Sequence, residues 1–245
     1  MSDGGGAWAP RRSWTEVAVV AEGDGFAVAL DGRPIRTPGK APLRLPTRAF
    51  AEAVAAEWAA QGELIDPRMM PATRLANAAI DKVARQADAV AAHVAAYGAS
   101  DLLCYRAEGP AELVAREAAE WDPLLAWAAE ALGARLAVTR GVMPIAQDPV
   151  ALARLEALVA DLDPFALAAF HDLAALSGSL VLALAVIRGR LDLDEAWRLS
   201  RLDEDFQAEE WGADEEAAEA ALRRRAAFLD AARLWRLLGG RDDRS

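Results

Sequence analysis

The chain is poor in the residues that carry most recognisable chemistry. It has one cysteine, Cys104, and two histidines, His93 and His171; its only lysines are Lys40 and Lys82 in 245 residues. A single cysteine excludes an internal disulfide framework and points to a reducing compartment. Neither histidine has a second one at i+3 or i+4, so no helical zinc pair can form, and Cys104 has no ligand at metal spacing. Long hydrophobic runs are also missing. The most apolar stretch, LAALSGSLVLALAVI (173–187), falls short of the roughly 18 residues that a membrane span requires and reads as a core helix. The opening segment MSDGGGAWAPRRSW has no apolar core of a secretory signal, and Arg11 and Arg12 are too few for a transit peptide. Basic charge is scarce, with a net charge of −11 and a pI near 4.8. That balance argues against phosphate neutralisation, hence against nucleic acid as a partner, and against an anionic membrane surface or membrane insertion.

Glycine patterns are equally bare. GDG at 23–25 lacks the third glycine of a dinucleotide fingerprint and reads as a hairpin turn. GKAP at 39–42 is no P-loop, and SGSL at 177–180 lacks the spacing of a nucleophile elbow. No cofactor or metal is expected. Carboxylates abound, but Asp66, Asp81, Asp101 and Asp122 stand near predicted helix ends, where capping or pairing with arginine is the ordinary role.

What is present is a globular composition, 54% apolar and 27% charged. Period-two patches (Val17, Val19; Phe26, Val28, Leu30) around glycine-rich turns predict strands over residues 16–38, with Leu43 and Leu45 on a short extended piece. From Thr47, a candidate N-cap, Phe50, Val54 and Trp58 recur at helical spacing up to Gly62. Beyond LIDPRMMP the pattern is helical and alanine-rich. Helices are expected at about 73–96, 110–132 with a break at Asp122-Pro123, 149–161, 164–188, 194–211 and 214–238, with one extended piece at 134–141. Asp122-Pro123, Asp148-Pro149 and Asp163-Pro164 each offer an acidic cap before a first-turn proline. The expected fold is α+β: a small β-rich domain with one helix over residues 1–72, then an orthogonal helical bundle over 73–245.

The most unusual stretch is RLDEDFQAEEWGADEE (201–216). Winding 194–211 as one helix separates three faces. Leu199, Leu202 and Phe206 form the core stripe, and Arg198, Arg201, Asp205 and Glu209 a solvated one with an i,i+4 ion pair. The third, Trp197, Ser200, Glu204, Gln207 and Trp211, sets an acid, an amide and a hydroxyl between two tryptophans. It fits either packing against another helix or an exposed binding patch, because aromatic anchors with a few polar groups mark interface centres. Asp203 and Glu210 fall near the core stripe with no evident role. The acids of DEEAAEA suit the first turn of the last helix.

LDE-x-x-Q-x-x-x-WG (202–212) resembles the signature of the assembly chaperones for the alpha subunit of the F-type ATP synthase catalytic head. LDGRPIRTP (30–38), AAEWAAQ (55–61), MPATRLANAAID (70–81), YGASDLLCYRAE (97–108), WDPLLAWA (121–128) and GSLVLALA (178–185) agree in the same order. One position departs: Glu117 stands where the family pattern has glutamine, which puts an amide-specific contact there in doubt. The resemblance implies a small β-containing domain, a helical domain and a non-enzymatic role. The chain would hold newly made alpha subunit, covering surface that aggregates until the beta subunit takes over. It places the functional acid on Glu204, with Gln207 and Trp211 beside it, while Trp58 reads as packing. Two other readings stand beside it: a carboxylate enzyme of unknown substrate, and a stable structural interaction domain. The arginine bias suggests a GC-rich bacterial gene and the cytoplasm; a mitochondrial member would work in the matrix.

Overall fold

In the computed structural model, which describes residues 10–212 and 214–239, the alternating segments form a hairpin as expected. Strand β1 (Val17–Glu22) pairs antiparallel with β2 (Gly25–Leu30), setting Val19 opposite Val28, and β3 (Arg33–Pro34) extends the sheet beside β2. Leu43 and Leu45 are buried, and Leu45 exchanges backbone hydrogen bonds with Phe26. Helix α1 (Arg48–Ala59) starts where the Thr47 hydroxyl accepts the Phe50 amide, and it buries Phe50, Ala51 and Val54. Its C-terminal carbonyls are covered by Arg12, whose guanidinium donates to Ala59 and Gln61.

Two carboxylates fix helix α2 (Pro71–Asp81). At its start, Glu57 accepts the amides of Ala72 and Thr73 and the Thr73 hydroxyl, satisfying first-turn donors and favouring the helix dipole. At its end, Asp81 accepts the Thr37 hydroxyl at 2.7 Å and the Gly39 amide at 2.8 Å. A Cβ at Gly39 would lie 2.5 Å from Asp81 Oδ1, so this close approach requires glycine. Trp58 packs edge-on against Trp14, with ring centroids 5.1 Å apart. These elements belong to one compact unit, residues 10–85 with 237–239; residues 86–236 form a second. The division therefore falls beyond α2, which the sequence pattern groups with the helical part.

The second unit is helical: α3 (Ala87–Ala95), α4 (Ala111–Ala131), α5 (Pro149–Ala160), α6 (Pro164–Ser177), α7 (Leu180–Ile187), α8 (Leu193–Ser200), α9 (Leu202–Trp211) and α10 (Glu215–Leu237). The α+β class stands, but several helices differ from expectation. The segment 73–96 is two helices, separated by a short 3-10 turn at Val83–Arg85. By contrast α4 runs unbroken through Pro123, because Asp122 is not a cap there; its carboxylate meets Arg106 at 2.7 Å. The apolar run 173–187 breaks at Gly178, whose φ of +70° ends α6, and Ser179 caps α7. Every α7 residue from Leu180 to Val186 is buried, which makes α7 the centre of the bundle. Of the extended piece 134–141, only Thr139–Arg140 (β5) pairs, in parallel with β4 (Tyr105–Arg106).

Candidate partner-docking site

The acidic stretch is not one helix. Arg201 leaves helical geometry (φ −118°, ψ 13°) and separates α8 from α9. The break re-aims the residues before it, so the third stripe divides. Trp197 and Ser200 are both 8% exposed; the Ser200 hydroxyl donates to the Trp197 carbonyl at 2.7 Å, and the Trp197 ring lies against Phe228. Glu204 and Gln207 are exposed, and Trp211 is 83% exposed. Packing and exposure, the two readings of this stripe, thus each describe one half of it. The core stripe is as expected, with Leu199, Leu202 and Phe206 buried.

Trp197, Glu204, Gln207 and Trp211 nevertheless meet in space. They line a groove of about 820 Å³ between α9 and the first half of α10, where Ala217, Ala218 and Ala221 form a small-residue wall and Leu222, 67% exposed, an apolar edge. The α10 contribution escapes a reading of 201–216 alone, although alanines at helical spacing were its available signal. Arg201 runs along the groove: its guanidinium lies 3.8 Å from Glu204, 3.5 Å from Asp205 and over the Trp197 ring. Partial desolvation pushes the Asp205 carboxyl upward, against the pull of Arg201. The charged stripe is more tightly held than a freely solvated face. Arg198 grips Glu120 through two hydrogen bonds, and Glu209 accepts from Arg116 of α4 at 2.9 Å.

Asp203 and Glu117, which the sequence left without roles or in doubt, lie together behind this site. Glu117 is fully buried on α4 and accepts the Ala107 amide. Burial pushes its carboxyl up to about 7, the neighbouring Asp203 adds to the rise, and the Ala107 amide and Arg106 oppose it. Glu210 is exposed.

Elsewhere the chemistry stays sparse. His93 and His171, read separately, stack with ring centroids 6.0 Å apart, and His171 Nδ1 lies 3.0 Å from Asp172. Among the described residues no three His, Cys, Asp or Glu side chains are grouped to hold a metal ion. Burial pushes the Cys104 thiol up to about 12, which keeps it an unreactive core residue. No described helix is long and apolar enough to cross a membrane.

The family model described as ATP12 chaperone protein matches residues 11–129. The crystal structure of Atp12 from Paracoccus denitrificans is similar with a TM-score of 0.89 and 58% identity, over 93% of this chain and 98% of that one. The chain belongs to the ATP12 chaperone family. A structure of an aspartate-to-lysine mutant of the P. denitrificans protein agrees as closely, with a TM-score of 0.90, 57% identity, and coverage of 93% and 97%. A putative chaperone from Agrobacterium tumefaciens has a TM-score of 0.89 and 44% identity, over 94% of this chain and 86% of its own. Mitochondrial atp12 of Schizosaccharomyces pombe is 24% identical over 221 residues, 85% of this chain and 76% of that protein. The ATP12 family is one of ATP synthase assembly chaperones, and a non-enzymatic role follows from it. Its members occur in both bacteria and mitochondria.

Proposed function

We propose that this ATP12-family chaperone captures the unassembled alpha subunit of the ATP synthase catalytic head through the groove between α9 and α10. In this reading Trp211 is the aromatic anchor, Glu204 and Gln207 are the polar contacts beside it, and Trp197 is the floor, held in place by Ser200. The observation that carries the proposal is the exposure of Trp211 and Leu222 on one concave surface. Large aromatics at a groove with few polar groups are the usual energetic centre of an interface, and an exposed apolar patch costs solubility unless something covers it. The arginine bias supports a bacterial cytoplasmic setting.

The test mixes the purified chain with refolding alpha subunit and follows aggregation and co-elution. The wild-type chain should suppress light scattering and co-elute with the client. Trp211→Ala should weaken capture by roughly 30-fold, the cost of losing about 2 kcal/mol at an aromatic hot spot, while thermal stability stays unchanged. Glu204→Lys should weaken capture in the same direction with the fold intact. A wild-type chain that neither co-elutes nor suppresses scattering overturns the proposal, as do both variants capturing like wild type.

A further inference from the structure

Glu117 on α4 and Asp203 on α9 are neighbours where these two helices pack inside the second unit. Glu117 is 0% exposed, and Asp203 has a buried Oδ1 that accepts no hydrogen bond among the described residues. Ionised carboxylates carry lone pairs only, so two of them cannot bond one another, and together they would bury two like charges. The nearby cations do not neutralise such a pair. Arg106 of β4, the cation that acts on Glu117, is committed to Asp122, to the Leu103 carbonyl and to the Trp121 face. Arg116, one position before Glu117, is committed to Glu209 and Glu112 and lies over Phe206. The Ala107 amide supplies one donor to Glu117 and none to Asp203.

We infer that Glu117 keeps its proton and donates it in a hydrogen bond to Asp203, and that this bond fixes α9 against α4. With the proton in place, the Glu117 hydroxyl donates to Asp203, the orphaned Oδ1 gains its partner, and one charge remains in the cluster. Without it the two carboxylates repel across the α4–α9 contact, against the hold of Arg116 on Glu209 and on the Phe206 ring and the burial of Leu202 and Phe206. Helix α9 carries Glu204, Gln207 and Trp211, so the proton sets how rigidly these are presented; that consequence rests on the docking role proposed above, whereas the proton itself does not. Glu117 and Asp203 are positioning residues, acting through α9 without touching the groove.

The experiment uses the full chain alone. In protein labelled with ¹³C at glutamate carboxyls, one carbon should titrate near pH 7. It should be missing in Glu117→Gln, an isostere that donates a hydrogen bond at every pH, and should move down in Asp203→Asn while staying above the ordinary glutamate range, because burial remains. Hydrogen exchange of α9 amides, corrected for intrinsic rates, should accelerate by up to about tenfold per pH unit between pH 5 and 7, then level off. In Glu117→Gln that dependence should vanish, with protection as high as in wild type at pH 5. The inference is overturned if no glutamate carbon titrates above the ordinary range, or if α9 in Glu117→Gln follows the wild-type pH dependence. Should Glu117→Gln fail to fold, the Asp203→Asn spectrum decides. A titrating Glu117 combined with normal client capture by Glu204→Lys and Trp211→Ala would leave the Glu117 proton standing and remove the docking reading.

Discussion

Asp101 is wholly buried, yet it accepts hydrogen bonds from the Leu103 amide at 3.1 Å, the Ser179 hydroxyl at 2.7 Å and the Val181 amide at 3.0 Å. It therefore joins a 3-10 turn to the start of the central helix α7. Asp101→Ala strands these donors in the core, where each unsatisfied group costs about 1–3 kcal/mol; a total loss of roughly 3–5 kcal/mol is expected. Asp101→Asn keeps one acceptor oxygen and should lose about half as much. Urea unfolding measures both, and equal midpoints for Asp101→Ala and wild type would refute the argument. The sequence placed Asp101, Asp66 and Asp81 at helix ends, and Asp66 does what proximity suggests, accepting the Arg68 amide and guanidinium. For Asp101 and Asp81 the decisive partners lie about 80 and 40 positions away, where local pattern is silent.

Among the helices, the joint between α8 and α9 shows why periodicity reads faces better than breaks. The 3.6-residue spacing of Leu199, Leu202 and Phe206 continues across Arg201, and neither glycine nor proline marks the interruption. Burial of that stripe was therefore legible, whereas the turning inward of Trp197 and Ser200 was not. The contact at the joint is tertiary: the buried Trp121 indole of α4 donates to the Leu199 carbonyl in the last turn of α8, at 3.1 Å. Gly178 did carry a local signal, an SGS break inside an apolar run that hydrophobicity alone hides. Trp121→Phe keeps most of the ring and removes this donor. It should cost about 1–2 kcal/mol in chemical unfolding, part of it from the smaller ring, and should speed exchange of the last α8 amides ahead of those in α7. Unchanged α8 exchange would mean that packing alone holds the joint.

For the whole molecule, the perturbed carboxyl groups fall into two sets with opposite effects on stability. Asp31, Asp66 and Asp81 are lowered from 3.8 and Glu120 from 4.5 by hydrogen bonds from backbone, hydroxyl or guanidinium groups. Their stabilisation is present above those ordinary values and is lost as pH falls through the folded ones. Asp101 is raised from 3.8 to about 6, and Glu117 from 4.5 to about 7, mainly by burial. Their contribution is complete below 3.8 and 4.5 and is gone once pH has risen through the folded values. Asp205, raised by desolvation, adds in the same direction. Net charge works with the second set, since a chain with pI near 4.8 and −11 at pH 7 accumulates self-repulsion as pH rises. The thermal midpoint should therefore peak between about pH 4 and 5, decline through pH 7, and change little between pH 7.5 and 8.5. Dilute samples are needed near the pI, where weak net charge favours association. The double variant Asp101→Asn, Glu117→Gln should start from a lower midpoint at pH 5 and show a much shallower decline, because neither amide titrates. A midpoint that rises steadily from pH 5 to 8 in the wild-type chain would mean that salt-bridged surface acids, not the buried pair and Asp101, govern the stability of this fold.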